Sequence, residues 1–234
     1  MPMKSVLAIM AEFNLLKSAP SIRRDVSARL VNKSANRTEA SKFGKAYFDG
    51  PREQGYGGYH YDGRWKPIAA SAISHYQLKA GMSVLDIGCA KGFFVHDLMS
   101  VLPHLYAYGI DVSEYALAEA PSEIKPNLTL GNAANLPYED DSFDAVFSIN
   151  TIHNLERSDC IKALAEMTRV AKDPSKCFVQ VDAYRNVDEK ELFEAWMLTA
   201  KTYCTPDQWH EIFREAGYIG DHYWTILEFE NVKL

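Results

Sequence analysis

The chain has 234 residues, 47% of them hydrophobic, and no run approaching the roughly twenty apolar residues of a membrane helix. Its net charge of −6 disfavours a nucleic-acid partner. The four cysteines, at positions 89, 160, 177 and 204, form no C-x-x-C pair, which predicts reduced thiols in a cytoplasmic protein and neither a disulfide framework nor a zinc site.

Two regions of the chain differ in pattern. In residues 1–65, apolar spacing predicts helices near 4–17 and 21–34, and an irregular stretch follows from 35 to 65. In residues 66–234, strands and helices alternate, which predicts one α/β domain with a parallel sheet covered on both faces. The predicted strands are "SVLDIG", "LYAYGID", "NLTLGN", "FDAVFSIN", "CFVQVD" and "HYWTILEFE".

Polar residues and glycines follow the predicted strands, at the sheet edge where ligands of such folds bind. The first strand leads into "LDIGCAKG", whose glycines allow a tight turn and a close approach of a ligand to backbone amides. Asp111 ends the second strand, where a carboxylate can accept both hydroxyl hydrogens of a ribose. Asn132 follows the third strand, and Asn150 ends the fourth.

Four segments in order, "VLDIGCAKG", "YGIDVS", "GNAANLPYEDDSFDAVFS" and "TPDQWHEIFREAGY", resemble the class I S-adenosylmethionine-dependent methyltransferases. The resemblance covers about residues 67–229 and implies S-adenosylmethionine as cofactor. It also implies a Rossmann-like, doubly wound sheet of about six to seven strands whose last strand is antiparallel. The N-terminal helices would form an extension with a lid.

By this resemblance the cofactor site is made by residues of four strand ends. Asp86 would lie near the methionine amino group, Asp111 would hold the ribose diol, and the remaining contacts would come from Gly88, Cys89, Ala90, Gly92, Val112, Asn132, Ala133 and Asn150. The sequence departs from the family at Ala90, where a glycine is usual, and at Asn132, where an aspartate is usual. One strand pattern fewer than usual follows Gly217.

A dinucleotide-dependent oxidoreductase is the alternative enzyme with a similar fold. Its turn would read G-x-G-x-x-G, whereas here Gly88 and Gly92 are separated by "CAK" and an acidic residue precedes them. The turn therefore favours a ligand with a methionine tail over one with a pyrophosphate.

The stretch "YGGYHYDGRW" (residues 56–65) is predicted to be a lid over the site. Aromatic faces such as that of Tyr59 can stabilise a sulfonium, and Arg64 can pair with the methionine carboxylate. Tyr61 and Asp62 are predicted to contact the substrate, with Asp62 also able to orient Arg64. The alternative is an aromatic clasp without ligand contact. A nucleic-acid platform would need a basic groove, and the neighbouring charges are nearly balanced.

Candidate groups for the methyl acceptor stand after the fourth and fifth strands. His153 is the candidate general base, because imidazole changes protonation near neutral pH; the alternative is a structural histidine. Asp182, Tyr184 and Arg185 are predicted substrate contacts, or else ordinary loop polarity. No acidic cluster fits a divalent metal site, so no metal is predicted.

Together these features predict a methyltransferase that acts on a small molecule rather than on nucleic acid or at a membrane. The lid resembles methyltransferases of bacterial surface-glycan clusters, which favours a saccharide or its precursor, and a secondary-metabolite hydroxyl or amine is the second choice. A catalytically silent cofactor-binding protein that acts through partner contacts remains the alternative from another class. The N-terminal helices are a candidate homodimer contact.

Overall fold

The computed structural model describes residues 10–20, 24–228 and 232–233. At its centre is a parallel sheet of six strands in the order β4-β3-β2-β5-β6-β7. These strands are β2 (Ser83–Ile87), β3 (Tyr106–Asp111), β4 (Leu128–Leu130), β5 (Ala145–Ile149), β6 (Cys177–Asp182) and β7 (Asp221–Thr225). A separate parallel pair joins β1 (Arg24–Asp25) to β8 (Val232–Lys233).

Helices cover both faces of the sheet. They are α1 (Val26–Leu30), α2 (Lys33–Ala40), α3 (Lys45–Asp49), α4 (Trp65–His75), α5 (Phe93–Val101), α6 (Glu114–Ala118), α7 (Arg157–Val170), α8 (Val187–Trp196) and α9 (Pro206–Ala216). Local sequence fixes their ends: α9 begins with a capping box between Thr205 and Gln208 and ends at Gly217 in the left-handed conformation. The predicted doubly wound α/β fold is confirmed.

The central strands are buried on both faces. Consecutive residues along one strand therefore point into two different hydrophobic cores, one on each face of the sheet. On one face, Val146 packs with Leu164 and Trp209 of α7 and α9. On the other face, Phe147 packs with Phe94 and Leu98 of α5. This burial on both sides fixes the sheet firmly, and the carboxyl ends of its strands therefore form a stable platform for a site.

The direction of the last strand differs from the prediction. β7 pairs with β6 in parallel, with Phe178 opposite Asp221 and Asp182 opposite Thr225. The predicted antiparallel orientation is wrong. The crossover from β6 to β7 runs through α8 and then α9, which returns the chain to the starting edge, so β7 enters the sheet in the same direction as β6.

The outer edge of β7 is covered by the N-terminal segment. The amide of His222 donates to the carbonyl of Ala11 at 3.0 Å, and the amide of Phe13 donates to the carbonyl of His222 at 2.9 Å. The predicted helix over 4–17 lies partly outside the described residues, and from residue 10 onward the chain forms this bridge and turns instead. Pairing with an open sheet edge satisfies backbone groups that a helix would satisfy internally.

The next predicted helix, over 21–34, is replaced by two short ones. Residues 21–23 lie outside the described part, and α1 and α2 are separated at Asn32, whose φ of +55° interrupts the helical path. The stretch predicted to be irregular contains most of α2 and all of α3. The division of the chain at residues 65 and 66 coincides with the start of α4 but stays a prediction, as does a homodimer through the N-terminal helices.

Candidate active site

A cavity opens at the carboxyl ends of β2, β3 and β5, where the topology places ligands in such sheets. It holds about 680 Å³ of atom-free space, part of it continuous with solvent. The predicted cofactor residues that line it are Gly88, Ala90, Asp111, Val112, Asn132, Ala133 and Asn150. These residues come from four separate turns, and the fold brings them together as the sequence predicts.

The turn after β2 has an unusual backbone. Gly88, Ala90 and Gly92 all have positive φ, at +79°, +51° and +70°. A Cβ at position 88 would lie only 2.1 Å from Oγ1 of Thr151, so glycine is required there for space as well as for conformation. Ala90, the departure from the family pattern, adopts a left-handed conformation that costs a residue with a side chain about 1–2 kcal/mol.

Asp111 offsets that cost and forms the next part of the site. Its Oδ2 accepts a hydrogen bond from the Ala90 amide at 2.8 Å, and its Oδ1 accepts one from the Ser113 amide at 2.8 Å. Burial raises the pKa of Asp111, and these two amide bonds oppose the rise. A carboxylate held at both oxygens has a fixed orientation toward the cavity, and its remaining lone pairs can accept two hydroxyl groups.

Asp86 is a buried carboxyl group without a cation. Its side chain is 5% exposed, and no described lysine or arginine pairs with it. Burial, with a further contribution from the charge of Asp111, raises the pKa of Asp86 to about 8. Tyr59 lies close enough for the charge of Asp86 to raise its pKa as well, after the larger effect of burial. A ligand with a positive charge would supply the partner that Asp86 lacks.

Several predicted cofactor residues do not line the cavity, and Asp86 and Tyr59 are among them. Cys89 is buried beneath the turn, and Gly92 is the N-cap of α5. Arg64 forms an exposed pair with Asp62 at 2.6 Å, which agrees with the predicted orienting contact between them but places Arg64 outside the cavity. Tyr61 points away too, since its hydroxyl donates to Asp97 of α5 at 2.6 Å. Their contacts with cofactor or substrate stay predictions.

His153 is buried next to Asp182 rather than in the cavity wall. The amide of Asp182 donates to Nδ1 at 3.1 Å, and Nε2 lies 3.2 Å from Oδ2 of the same residue. Burial lowers the pKa of His153, and the charge of Asp182 opposes this. With Nδ1 accepting a hydrogen bond, the proton resides on Nε2 and faces the carboxylate, so both nitrogens are engaged. These contacts favour the structural alternative, and the role as base stays a prediction.

The other predicted substrate residues also lie outside the cavity. Asp182 is occupied by His153, and its carbonyl accepts a hydrogen bond from Nε1 of Trp209 at 2.9 Å. Arg185 pairs with Glu189 at 2.6 Å on the surface, and Tyr184 packs near Tyr203. In this arrangement the end of β6 supports the core more than it lines a ligand site.

Substitution of His153 by alanine separates the two interpretations. From the observed contacts we expect the free energy of unfolding to fall by about 2 kcal/mol, because a buried ring and its hydrogen bonds are lost. Affinity for S-adenosylhomocysteine and turnover at a permissive temperature should change little. Urea unfolding and steady-state kinetics measure both quantities. A fall in turnover of about a hundredfold or more with stability intact would instead identify His153 as the base.

Besides Tyr56 of the predicted lid stretch, residues that the sequence did not indicate complete the cavity wall: Phe43, Tyr47, Phe48, Ile87, Ile110, Gly131, Thr151, Asn154 and Leu155. The four aromatic residues come from the segment before α4, and only Tyr56 belongs to the predicted lid stretch. A signal existed in "FGKAYFDG", where three aromatic residues and two glycines repeat the character of the lid stretch. The aromatic part of the cavity wall therefore comes mainly from residues upstream of the predicted lid stretch.

The sheet, the turn after β2 and the carboxylate at the end of β3 together define a class I S-adenosylmethionine-dependent methyltransferase. The sequence pattern of the family described as "Methyltransferase domain" matches residues 78–217, which is more than half of the chain. The chain therefore belongs to that family. The predicted family and cofactor are thereby confirmed.

Relatives of this chain act on different substrates. It is 25% identical to a demethylmenaquinone methyltransferase of Symbiobacterium thermophilum, over 70% of this chain and 79% of that one. It is 26% identical to a tRNA (carboxymethyluridine(34)-5-O)-methyltransferase of Arabidopsis thaliana, over 80% of this chain but 40% of the other. The relatives agree on methyl transfer and differ in the acceptor.

Solved structures share the fold at low sequence identity. The cyclase SpnF has a TM-score of 0.54 at 20% identity, covering 86% of this chain and 74% of its own. The partner of the Haloferax volcanii Trm112 methyltransferase activator has a TM-score of 0.51 at 24% identity, covering 67% of this chain and 73% of its own. At these identities the likeness concerns the fold alone.

Within residues 10–20, 24–228 and 232–233, no group of three or more His, Cys, Asp or Glu side chains is arranged to hold a metal ion. In the same part of the chain, no helix has the length and apolar character needed to cross a bilayer.

Proposed function

We propose that this methyltransferase acts on a small molecule without anionic groups, through a hydroxyl or amine group, with a saccharide or a secondary metabolite as the substrate class. The observation that carries the proposal is the composition of the cavity wall. Asp111 is the one charged side chain among the described residues that line it, and the rest divide evenly between aromatic, amide and hydroxyl residues and aliphatic residues or glycine. A demethylmenaquinone methyltransferase among the relatives supports a small acceptor.

The residues present fit S-adenosylmethionine. Asp86, a buried carboxyl group without a cation, is suited to the cofactor's amino group, and Asp111 is suited to its ribose hydroxyls. Val112 is 52% exposed at the cavity and would pack on the adenine, with Asn132 and Ala133 at its edge. Oδ1 of Asn132 already accepts from the Ala134 amide, which leaves the side-chain NH₂ group for a ligand. When bound, the cofactor supplies a methyl group on a sulfonium.

The chain's own contribution to the transfer is positioning and the exclusion of water. Tyr47, Phe48 and Tyr56 cover the cavity from the N-terminal side. Burial raises the pKa of Tyr47, and the neighbouring Tyr47 raises that of Tyr56, so both phenols remain neutral. A polymer such as tRNA would need an open face at this wall and a basic surface, and the chain carries a net charge of −6.

Asn154 is the candidate hydrogen-bond acceptor for the substrate. It lines the cavity, and its buried Oδ1 has no donor among the described residues. The neighbouring Asn150 already accepts a hydrogen bond from Thr225 at 2.7 Å. A buried acceptor without a donor is costly, and a hydroxyl or amine of the substrate would satisfy it.

Release of S-adenosylhomocysteine from matched acceptors tests the proposal. Purified protein is incubated with S-adenosylmethionine and hydroxyl compounds, amines, phosphorylated forms of the same compounds, or tRNA. We expect kcat/KM to be at least about tenfold higher for an acceptor without anionic groups than for its phosphorylated form, because the cavity wall offers no cation to the phosphate. In parallel, titration with S-adenosylhomocysteine checks that the same protein preparation binds the cofactor product. Preference for tRNA or for phosphorylated acceptors would contradict the proposal.

A further inference from the structure

Asp49, the last residue of α3, forms a buried ion pair with Lys91. Lys91 lies in "GCAKG", residues 88–92 between β2 and α5, which we call the cofactor turn. Nζ of Lys91 lies 2.8 Å from Oδ1 and 2.6 Å from Oδ2 of Asp49. The Lys91 and Asp49 side chains are only 5% and 13% exposed. The pair therefore connects the N-terminal region directly to a turn that lines the cavity.

Asp49 holds two more groups. The hydroxyl of Tyr115, in α6, donates to Oδ2 at 2.7 Å, and the amide of Tyr59 donates to Oδ1 at 3.1 Å. Burial disfavours the ionised carboxylate, but the bonds from Lys91, Tyr115 and Tyr59 outweigh this and lower the pKa of Asp49 to about 2. The carboxylate thus stays charged throughout the neutral range and joins three parts of the chain.

The segment that Asp49 holds is part of the cavity wall. We call residues 43–59 the strap; Phe43, Tyr47, Phe48 and Tyr56 of the strap line the cavity. On its other side the strap is fixed by Arg29, whose guanidinium donates to the Gly55 carbonyl at 2.6 Å. At its start the strap is also held by Ser113, whose hydroxyl donates to the Phe43 carbonyl at 2.6 Å. Among these anchors of the described residues, the Asp49 anchor is the one that reaches the cofactor turn.

Both partners of the pair adjoin the cavity. Phe48 precedes Asp49 and Ala90 precedes Lys91, and each of these neighbours lines the cavity. An outward movement of the strap must separate Asp49 from Lys91 or carry the turn with it. Separation of a buried ion pair leaves two charges without a partner until water reaches them, so it costs more than separation of an exposed pair.

We propose that Asp49 is a positioning residue that latches the strap to the cofactor turn, so that opening of this latch controls release of the cofactor product. Asp49 acts through Lys91 and the strap, and it does not line the cavity itself. Product release limits turnover in many enzymes with closing segments, and the latch therefore also influences the rate of the complete cycle.

The test compares Asp49→Asn, Lys91→Met and Tyr115→Phe with the wild type. Stopped-flow measurement gives the dissociation rate of S-adenosylhomocysteine, and hydrogen exchange gives the protection of residues 43–59. For Asp49→Asn we expect dissociation to accelerate about tenfold or more, and strap amides to exchange at least about tenfold faster. Lys91→Met should act in the same direction. Tyr115→Phe, which removes one hydrogen bond, should have a smaller effect.

A matched control is Glu215→Gln, which removes one partner of the exposed pair with Arg157 at 2.6 Å. It should leave both the dissociation rate and strap exchange unchanged. If Asp49→Asn does not fold, the same measurements on Lys91→Met and Tyr115→Phe decide the question. Unchanged dissociation in these variants, or faster exchange spread equally over β2 and β5, would overturn the latch and leave the pair as a general stabiliser.

Discussion

Asp86→Asn is expected to make the free protein more stable at pH 8 and to bind the cofactor more weakly. The folded-state pKa of Asp86, about 8, lies above the ordinary value of 3.8. An acid with a raised pKa contributes stability that is fully present below its unfolded pKa and is lost as pH rises through the folded pKa. The wild type should therefore lose stability as the pH rises from about 4 to about 8. The variant has no carboxyl group at this position, so this contribution to the loss should be absent.

We expect the variant to gain on the order of 2–4 kcal/mol over the wild type at pH 8, and less at pH 5. Its affinity for S-adenosylmethionine should fall about 10- to 100-fold, because a charge-assisted hydrogen bond to the amino group is lost. Urea unfolding between pH 5 and 8 and titration calorimetry measure these quantities. Equal stability of the two proteins at every pH, or unchanged cofactor affinity, would show that Asp86 is not the isolated carboxylate described above.

Gly88→Ala is expected to nearly abolish cofactor binding. The added Cβ would lie 2.1 Å from Oγ1 and 2.3 Å from Cγ2 of Thr151, which itself lines the cavity. The φ of +79° adds a backbone penalty. We expect the free energy of unfolding to fall by about 2–4 kcal/mol and the affinity for S-adenosylmethionine to fall more than about a hundredfold, since the turn and Thr151 must move apart.

Gly81→Ala is the matched control for that substitution. Gly81 has a similar φ of +87°, but no heavy atom lies within 4 Å of an added Cβ. It should show the backbone penalty of about 1–2 kcal/mol without loss of cofactor affinity. Melting curves and titration of the two variants separate strain from steric overlap. Equal affinities in both would mean that the turn accommodates a side chain at position 88.

The sheet, and the residues that line the cavity at its carboxyl edge, could be predicted because the apolar strand patterns and the turn residues occur at the same places in the sequence. Strands such as "SVLDIG" and "CFVQVD" are short apolar runs between turn residues, and the edge at their carboxyl ends is the binding edge for any parallel sheet. Gly88 follows β2, Asp111 ends β3 and Asn132 lies two residues after β4, so their place on that edge depends only on the fold class. The structure brings these three residues to one cavity.

The strap and the region beyond β6 depend on long-range contacts that periodicity does not reveal. Phe43 and Tyr47 reach the cavity because Asp49 meets Lys91 of a distant turn. His153 is buried because the amide of Asp182 lies beside it across β5 and β6. The direction of β7 follows from the crossover through α8 and α9 and not from the residues of the strand. In each case the deciding partner lies far away in the chain.

The bridge that covers β7 has a consequence for the order of folding. Asn14, which also bonds to Tyr223, is separated from it by 209 positions. During synthesis the N-terminal segment leaves the ribosome long before β7 exists, so the last edge of the sheet closes only when the whole domain has been made. Such a distant contact forms late and contributes little to early folding. A nascent or truncated chain therefore exposes an unpaired strand edge, and the hazard it faces is aggregation rather than loss of the cofactor site.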